Sequence, residues 1–451
     1  MKVCLDGFAL SLKKGTGLST YSRELAKTLA SGGIDVSVLY GMDRLGRRAD
    51  LKWSRFIQRL MVHGEADSKE VLRYGKDAVR YSIPYLLNIP FRPRQLHPLD
   101  WVEGRGLDMH LPQGSEIYNL SSLYRVSQSY AFFLPRSLSV AMPRKSGIDL
   151  FHSTSPLPVR MKGMPNVLTL HDLIPLTLPH STNVMLRHYR NIITSSLRQA
   201  DQILVISEHS KRDLQRVFGI EDDKIQVTYQ SVQVPTAIRD MSPGELRSVL
   251  SKNFNLKPQG YFLFFGAIEP KKNVMRILEA AGMANTDLPL IIAGRDGWLY
   301  KKEKRRIKQV KQDGSQSVRR YMYLPRQQLM YLLRGAKALI FPSLYEGFGL
   351  PVLEAMSMGV PVITSDCTSL PEVGGDAPLY VDPYDVSSIA GAMERLAGDD
   401  TLCCEAARKG LEQASTFSTE RHLALLQQGY QKAMDAYYGH GAAYAKQLHF
   451  K

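Results

Sequence analysis

Residues 341–381 read FPSLYEGFGLPVLEAMSMGVPVITSDCTSLPEVGGDAPLYV, and they hold the densest concentration of usable chemistry in the chain. An apolar run, Ala338–Phe341, enters a glycine-rich loop that carries Glu346. A helix then opens near Pro351, a residue suited to the first helical turn, and brings Glu354 to the same side. The N–H groups of Gly347, Phe348, Gly349 and Leu350 stand at that helix start without intrahelical partners, which favours an anion or a hydroxyl-rich ligand. A carboxylate such as Glu354 can accept both hydroxyls of a ribose. Glycines serving only a tight turn are the alternative, and acids on both sides of Gly-Phe-Gly-Leu-Pro argue against it.

A second motif, GAIEPKKN at Gly266–Asn273, also follows an apolar strand. Asn273 is expected to cap the next helix and leave Lys271 and Lys272 beside its N-terminus. Two ammonium groups with free amides make a cradle for a diphosphate. The competing reading is two solvated surface lysines. A third candidate, His171-Asp172, ends the strand Val167–Leu170, and Gly15-Thr16-Gly17 occupies the equivalent edge after the first strand. That glycine pair lacks the third glycine of the dinucleotide fingerprint, so nicotinamide cofactors are discounted.

These motifs need strands to aim them. The N-terminal half alternates strand and helix signals: Val3–Leu5, a helix with Leu18, Tyr21, Leu25 and Leu29 on one face, then Ile34–Tyr40. Strands recur at Ile148–His152, Val167–Leu170, Gln202–Ile206 and Ile225–Tyr229, with Ser207 and Gly219 bounding a helix. The second half repeats the pattern at Tyr261–Phe265, Leu290–Ala293, Tyr321–Leu324, Ala338–Phe341, Pro361–Thr364 and Leu379–Val381, and closes on a long helix, Ser418–Tyr438. Ser231–Ser242 reads as a linker. Residues 43–145 carry few clean periods and read as an insertion. Inside them Trp53, Phe56, Ile57, Leu60 and Met61 repeat at helical spacing beside Lys52, Arg55 and Arg59, and Tyr124–Lys145 is a second apolar-basic stretch. The expectation is an α/β chain with two doubly wound Rossmann-like domains facing across a cleft: 1–235, 236–416, and a terminal segment 417–451 returning to the first.

Composition narrows the partners. The 451 residues carry 58 Lys plus Arg against 43 Asp plus Glu, a formal charge of +15, with 44% hydrophobic and 22% charged residues. Those proportions exclude collagenous, disordered and all-membrane chains, and the charge points to an anionic partner. The four cysteines, Cys4, Cys367, Cys403 and Cys404, show neither zinc spacing nor a disulfide framework, which implies a reducing, cytoplasmic compartment. No signal peptide or spanning run is expected. Trp298–Arg320 concentrates basic residues but carries no nucleic-acid motif, so no nucleic acid is expected as partner.

E-x7-E from Glu346 to Glu354, within PSLYEGFGLPVLEAMSMGVPVI, together with GAIEPKKN, SEHSKRDL at 207–214 and SLPEVGGDAPLYVDP, resembles the retaining glycosyltransferases of family GT4, which have the GT-B fold. The resemblance is strong over about 260–383, good over 148–219 and poor over 43–145. HDLIPL at 171–176 resembles bacterial mannosyltransferases that build O-antigen and related polysaccharides.

The resemblance implies a nucleotide-sugar donor, preferably GDP-mannose with a UDP-sugar as the alternative, a lipid-linked glycan acceptor, and no required metal. On these positions Glu354 would hold the nucleotide ribose. Glu346 would contact the donor sugar near the reacting centre. Lys272, assisted by Lys271, would neutralise the leaving diphosphate. His171 would touch the sugar or aid departure, the amides of 347–350 would bind sugar hydroxyls and phosphate, with Gly266 also on the donor side, and Gly15 and Gly17 would line the acceptor or phosphate side of the cleft. Family members often place an Arg where Ala267 or Lys271 stands, so Arg295 is a further phosphate candidate. The implied location is the cytoplasm, with a peripheral position on the inner face of the cytoplasmic membrane if the basic amphipathic segment meets lipid; a helix packed on the domain with a solvated basic face is the alternative for that segment. A membrane- or nucleic-acid-binding protein without transferase activity is the reading of another class.

Overall fold

The computed structural model describes residues 1–11, 17–42, 82–96, 111–112, 114–133, 135–182, 184–313 and 318–439. Gly15 and the Trp53–Met61 segment lie outside them. In chain order the strands of the first half are β1 (Lys2–Asp6), β2 (Asp35–Tyr40), β3 (Arg94–Leu96), β4 (Glu116–Asn119), β5 (Leu138–Val140), β6 (Leu150–Ser153), β7 (Val159–Met161), β8 (Asn166–Leu170), β9 (Gln202–Val205) and β10 (Ile225–Val227). Eight of them form one sheet in the order β10-β9-β8-β6-β1-β2-β4-β3, while β5 and β7 pair separately. Among the described strands of the large sheet, β3 alone runs antiparallel.

The second half supplies β11 (Phe262–Phe265), β12 (Leu290–Ala293), β13 (Val318–Tyr321), β14 (Ala338–Phe341), β15 (Val362–Ser365) and β16 (Leu379–Val381), a parallel sheet in the order β13-β12-β11-β14-β15-β16. Its central strands, FLFF, LIIA and ALIF, are buried on both faces. Helices cover parallel sheets on both sides, so such strands read as unbroken apolar runs and announce themselves in sequence.

Two expectations change. Val318–Tyr321 pairs with β12, so this strand sits three residues earlier than the apolar Tyr321–Leu324 signal. Its edge position tolerates Arg319 and Arg320, which masked it. The segment read as an insertion contributes β4, paired in parallel to β2, and its short EIYN sequence lacks an apolar signature. The Leu123–Phe133 and Leu186–Gln199 helices pack together and were not legible either.

The terminal helix, Thr419–Gly439, returns to the first sheet. Gly429 lets it settle on Leu204, where a Cβ would come within 2.6 Å of the leucine side chain. The buried Tyr430 hydroxyl meets His152 Nδ1 at 2.8 Å, and His152 Nε2 meets Thr169 Oγ1 at 2.7 Å. Burial drives the His152 imidazole down to about 3, so it is neutral and takes one donor and one acceptor role in this chain. No helix among the described residues is long and apolar enough to cross a membrane.

Candidate active site

Parallel sheets bind ligands beyond the carboxyl ends of their strands, where strand order reverses. In the second sheet that point lies between neighbouring β11 and β14. The two chemistry-rich motifs are the loops that leave these two strands, which is why segments about seventy residues apart converge.

Lys272 Nζ donates to Glu346 Oε1 at 2.5 Å, and the pair is almost fully buried. The ammonium also stands 4.7 Å from the centre of the Phe341 ring. Burial alone would raise the Glu346 carboxyl, but Lys272 and Lys271 outweigh it and hold the group below its ordinary value. For Lys271 burial works against the charge, and Glu346, Asp172 and Glu269 overcome it, so that ammonium is held above its ordinary value. Lys271, Lys272 and Glu346 therefore form one charged cluster with the acids Glu269 and Asp172. Glu269 was not singled out from sequence. It is buried, and burial pushes its carboxyl up against the pull of Lys271 and Lys272.

The loop after β14 is pinned by Ser369, whose hydroxyl donates to the carbonyls of Glu346 at 3.0 Å and Phe348 at 2.8 Å. Gly349 has φ 112°, a left-handed value that suits glycine. The helix it opens, Leu350–Met356, carries Pro351 in its first turn. No acceptor among the described residues takes the N–H groups of Gly347, Phe348, Gly349 or Leu350, so these donors remain for a ligand.

Glu354 departs from expectation. Its Oε1 accepts from the half-exposed Arg326 at 2.5 Å, and its buried Oε2 has no partner. One oxygen, rather than two, is free for a ribose. Both residues line a cleft of about 390 Å³ closed by Glu24 of the Gly17–Ser31 helix and by Gln233 and Pro235 of the expected linker. Arg326 was missed because a lone Arg at a helix start carries no motif. Asn273 also departs: it sits at the N-cap position, but its amide donates to the carbonyls of Pro342 at 3.0 Å and Pro383 at 2.6 Å. It ties loops together and caps nothing. Gly266 follows β11 directly, and Arg295 acts electrostatically on Glu269 of the cluster.

The first sheet closes the site. His171 ends β8, and its ring Nε2 meets the carbonyl of Thr154 at 2.9 Å. The Ser207 hydroxyl donates to the Gly347 carbonyl at 2.7 Å, and Ser210 bridges the carbonyls of His171, at 2.9 Å, and Gly347, at 3.3 Å. Glu372 caps the Glu208–Phe218 helix from the opposite half, accepting from the amides of Glu208 at 2.7 Å and His209 at 3.3 Å. Trp298 Nε1 donates to Ser181 O at 2.7 Å. His171 thus meets the glycine loop through its backbone, while its ring faces Thr154 and lies perpendicular to the Tyr21 ring with centroids 4.6 Å apart. Gly17 begins the following helix, on the first-half side of the gap. Among the described residues no group of three His, Cys, Asp or Glu is arranged to hold a metal ion.

The comparisons with known proteins agree with this geometry. Residues 249–413 match the family model described as glycosyl transferases group 1, and residues 105–234 match the one described as Glycosyltransferase Family 4. O-antigen chain mannosyltransferase B of Escherichia coli is 38% identical over 261 residues, which cover 56% of this chain and 67% of that protein. Serotype-specific mannosyltransferase WbdA of Escherichia coli is 30% identical over 271 residues, covering 57% of this chain and only 32% of WbdA. The structure of Anabaena HepE in complex with UDP and glucose shares the fold, with a TM-score of 0.63 at 14% identity, over 95% of this chain and 98% of that one. Matches at this level, on a pair of facing parallel sheets, settle the membership: the chain is a GT-B glycosyltransferase of family 4.

Proposed function

We propose that the protein transfers mannose from GDP-mannose, with retention at the anomeric carbon, to a lipid-linked oligosaccharide or polysaccharide in bacterial cell-surface glycan assembly. The observation that carries this reading is the convergence of Lys271, Lys272 and Glu346 on the free amides of 347–350 at the strand-order reversal. Cleavage of the anomeric C–O bond leaves its electron pair on the diphosphate. The ammonium of Lys272, assisted by Lys271 and the loop amides, stabilises that charge where it develops. The acceptor hydroxyl attacks from the same face and passes its proton to the departing phosphate oxygen. Glu346 stabilises the positive charge that builds on the sugar, and the unpartnered oxygen of Glu354 accepts from a ribose hydroxyl. On this reading residues 1–235 hold the acceptor, 236–416 hold the donor, and 417–451 bind the halves together. The names of the mannosyltransferase relatives support the sugar.

Thermal shift with nucleoside diphosphates tests the donor. GDP at about one hundred times its Kd should add about 2.7 kcal/mol of stability, and UDP should add little. Stabilisation by UDP alone overturns the choice of base, and stabilisation by neither overturns the donor reading.

On this reading the lipid-linked acceptor brings the enzyme to the inner face of the cytoplasmic membrane. In the first half Ile83, Leu86, Leu87 and Ile89 project into solvent, with Ile83 67% exposed, and Lys162 reaches the backbone carbonyl of Asn88 within this patch. Apolar side chains beside a cation suit an anionic bilayer. Changing Ile83, Leu86 and Leu87 together to Ser should lower sedimentation with phosphatidylglycerol vesicles several-fold, and unchanged sedimentation removes this face as the contact.

A further inference from the structure

Asp6 ends β1, and Thr154 directly follows β6, its neighbour in the sheet. These strands flank the strand-order reversal of the first sheet, the counterpart of the lysine–glutamate site in the second. Asp6 is fully buried. Its Oδ2 accepts from the amide of Thr154 and, at 2.7 Å, from the Thr154 hydroxyl, while Oδ1 accepts from the amide of Phe8 at 3.0 Å. The Thr154 hydroxyl in turn accepts from Ser22 at 2.9 Å, on the Gly17–Ser31 helix. The Thr154 carbonyl receives His171 Nε2. A carbonyl only accepts, so Nε2 carries the proton. Burial keeps the imidazole below its ordinary value and therefore neutral, which leaves Nδ1 as an acceptor.

We propose that Asp6 is a positioning residue for the first-half face of the active site: it holds Thr154, and through the Thr154 carbonyl it fixes the tautomer and orientation of His171 for the sugar-transfer step. Burying a carboxylate costs free energy that an apolar residue in β1 would not incur, and the hydrogen bonds from Thr154 and Phe8 offset that cost. The carboxylate links the loop after β1 to the loop after β6, and the Thr154 hydroxyl carries that link on to Ser22 of the Gly17–Ser31 helix. The inference rests on the proposed donor reading of the cleft.

Burial pushes the Asp6 carboxyl up to about 6 against the hydrogen bonds from Thr154, Phe8 and Ala9 that favour its ionised form. The titratable groups facing it are Cys4 on its own strand and Tyr21 on the adjacent helix. Burial keeps both neutral through the working pH range; His171, beyond the Thr154 carbonyl, is a further titratable group that burial holds below its ordinary value, so the acid limb is assigned by its loss in Asp6→Asn. Protonation on the acid side removes an acceptor from Thr154 and loosens His171.

The test is the pH dependence of kcat and KM with GDP-mannose for the full chain and three variants, alongside 15N spectra of the imidazoles. The wild type should lose kcat below a midpoint of about pH 6. Thr154→Val removes a hydrogen bond that favours the carboxylate, so the midpoint should rise by about one pH unit, and Thr154→Ser should restore it. Asp6→Asn should abolish the acid limb and lower kcat about 10- to 100-fold, with donor KM within about twofold. An acid limb that stays in place in Thr154→Val, or wild-type kcat in Asp6→Asn, overturns the proposal. The spectra decide independently of turnover. His171 should show a single neutral tautomer protonated at Nε2 in the wild type and a mixture in Asp6→Asn, and an unaltered signal in Asp6→Asn overturns the proposal. Absence of turnover with any sugar nucleotide, with the tautomer changed as expected, refutes the donor reading and leaves the positioning role standing.

Discussion

Glu346→Gln is expected to lower kcat/KM by about 10²- to 10³-fold, the range typical of a group whose charge is matched to a transition state. Lys272→Ala should cost about as much, and the double variant little more than either single one. The two side chains share a hydrogen bond of 2.5 Å in a buried setting, so they act as one unit whose parts do not add. Gln keeps the shape of Glu346 but removes the charge that compensates Lys272, and removing one partner of a buried pair costs about 3–5 kcal/mol of stability. Calorimetry and kinetics on the same samples separate the two effects. The pH dependence has a definite sign. The folded Glu346 carboxyl is held below its ordinary value of 4.5, so its contribution is complete above that value and is lost as the pH falls through the lower folded value. Additive losses in the double variant would show that the pair does not work as a unit.

Gly347→Val is the second large effect. Even the first carbon of a side chain there would stand 2.5 Å from the His171 carbonyl oxygen and 3.1 Å from Asp172 Cβ. Both obstacles belong to the opposite half of the molecule, so the substitution opposes apposition of the two halves and leaves each half intact. It also separates the Gly347 carbonyl from Ser207 and Ser210. The expected result is a fall in kcat of about 100-fold, a near-unchanged melting temperature and retained GDP binding. Small-angle scattering should report a larger radius of gyration than in the wild type. A variant with wild-type scattering and rate would show that this contact does not gate the reaction.

The family resemblance and the doubly wound architecture were legible because they are written in local signals. Buried parallel strands such as FLFF and ALIF are continuous apolar runs, and the loops that leave them hold Glu346, Glu354, Lys271 and Lys272 at fixed offsets. Offsets from a strand end decide which edge of a sheet a residue reaches, so the sequence determined the candidate residues and the side of each sheet they occupy. It left the polar edges unread. The strand Val318–Tyr321 carries two arginines and β4 reads EIYN, so neither has the period or hydrophobicity that marks a strand.

Partnership across the chain was decided only by tertiary structure. Arg326 takes one oxygen of Glu354, Asn273 spends its amide on Pro342 and Pro383, and Asp6 reaches His171 through Thr154. Each of these contacts joins residues far apart in sequence, and no periodicity or spacing encodes them. A side chain's type sets what it can donate or accept. Which partner it meets depends on how two sheets and their crossovers pack, and that packing is a property of the whole chain.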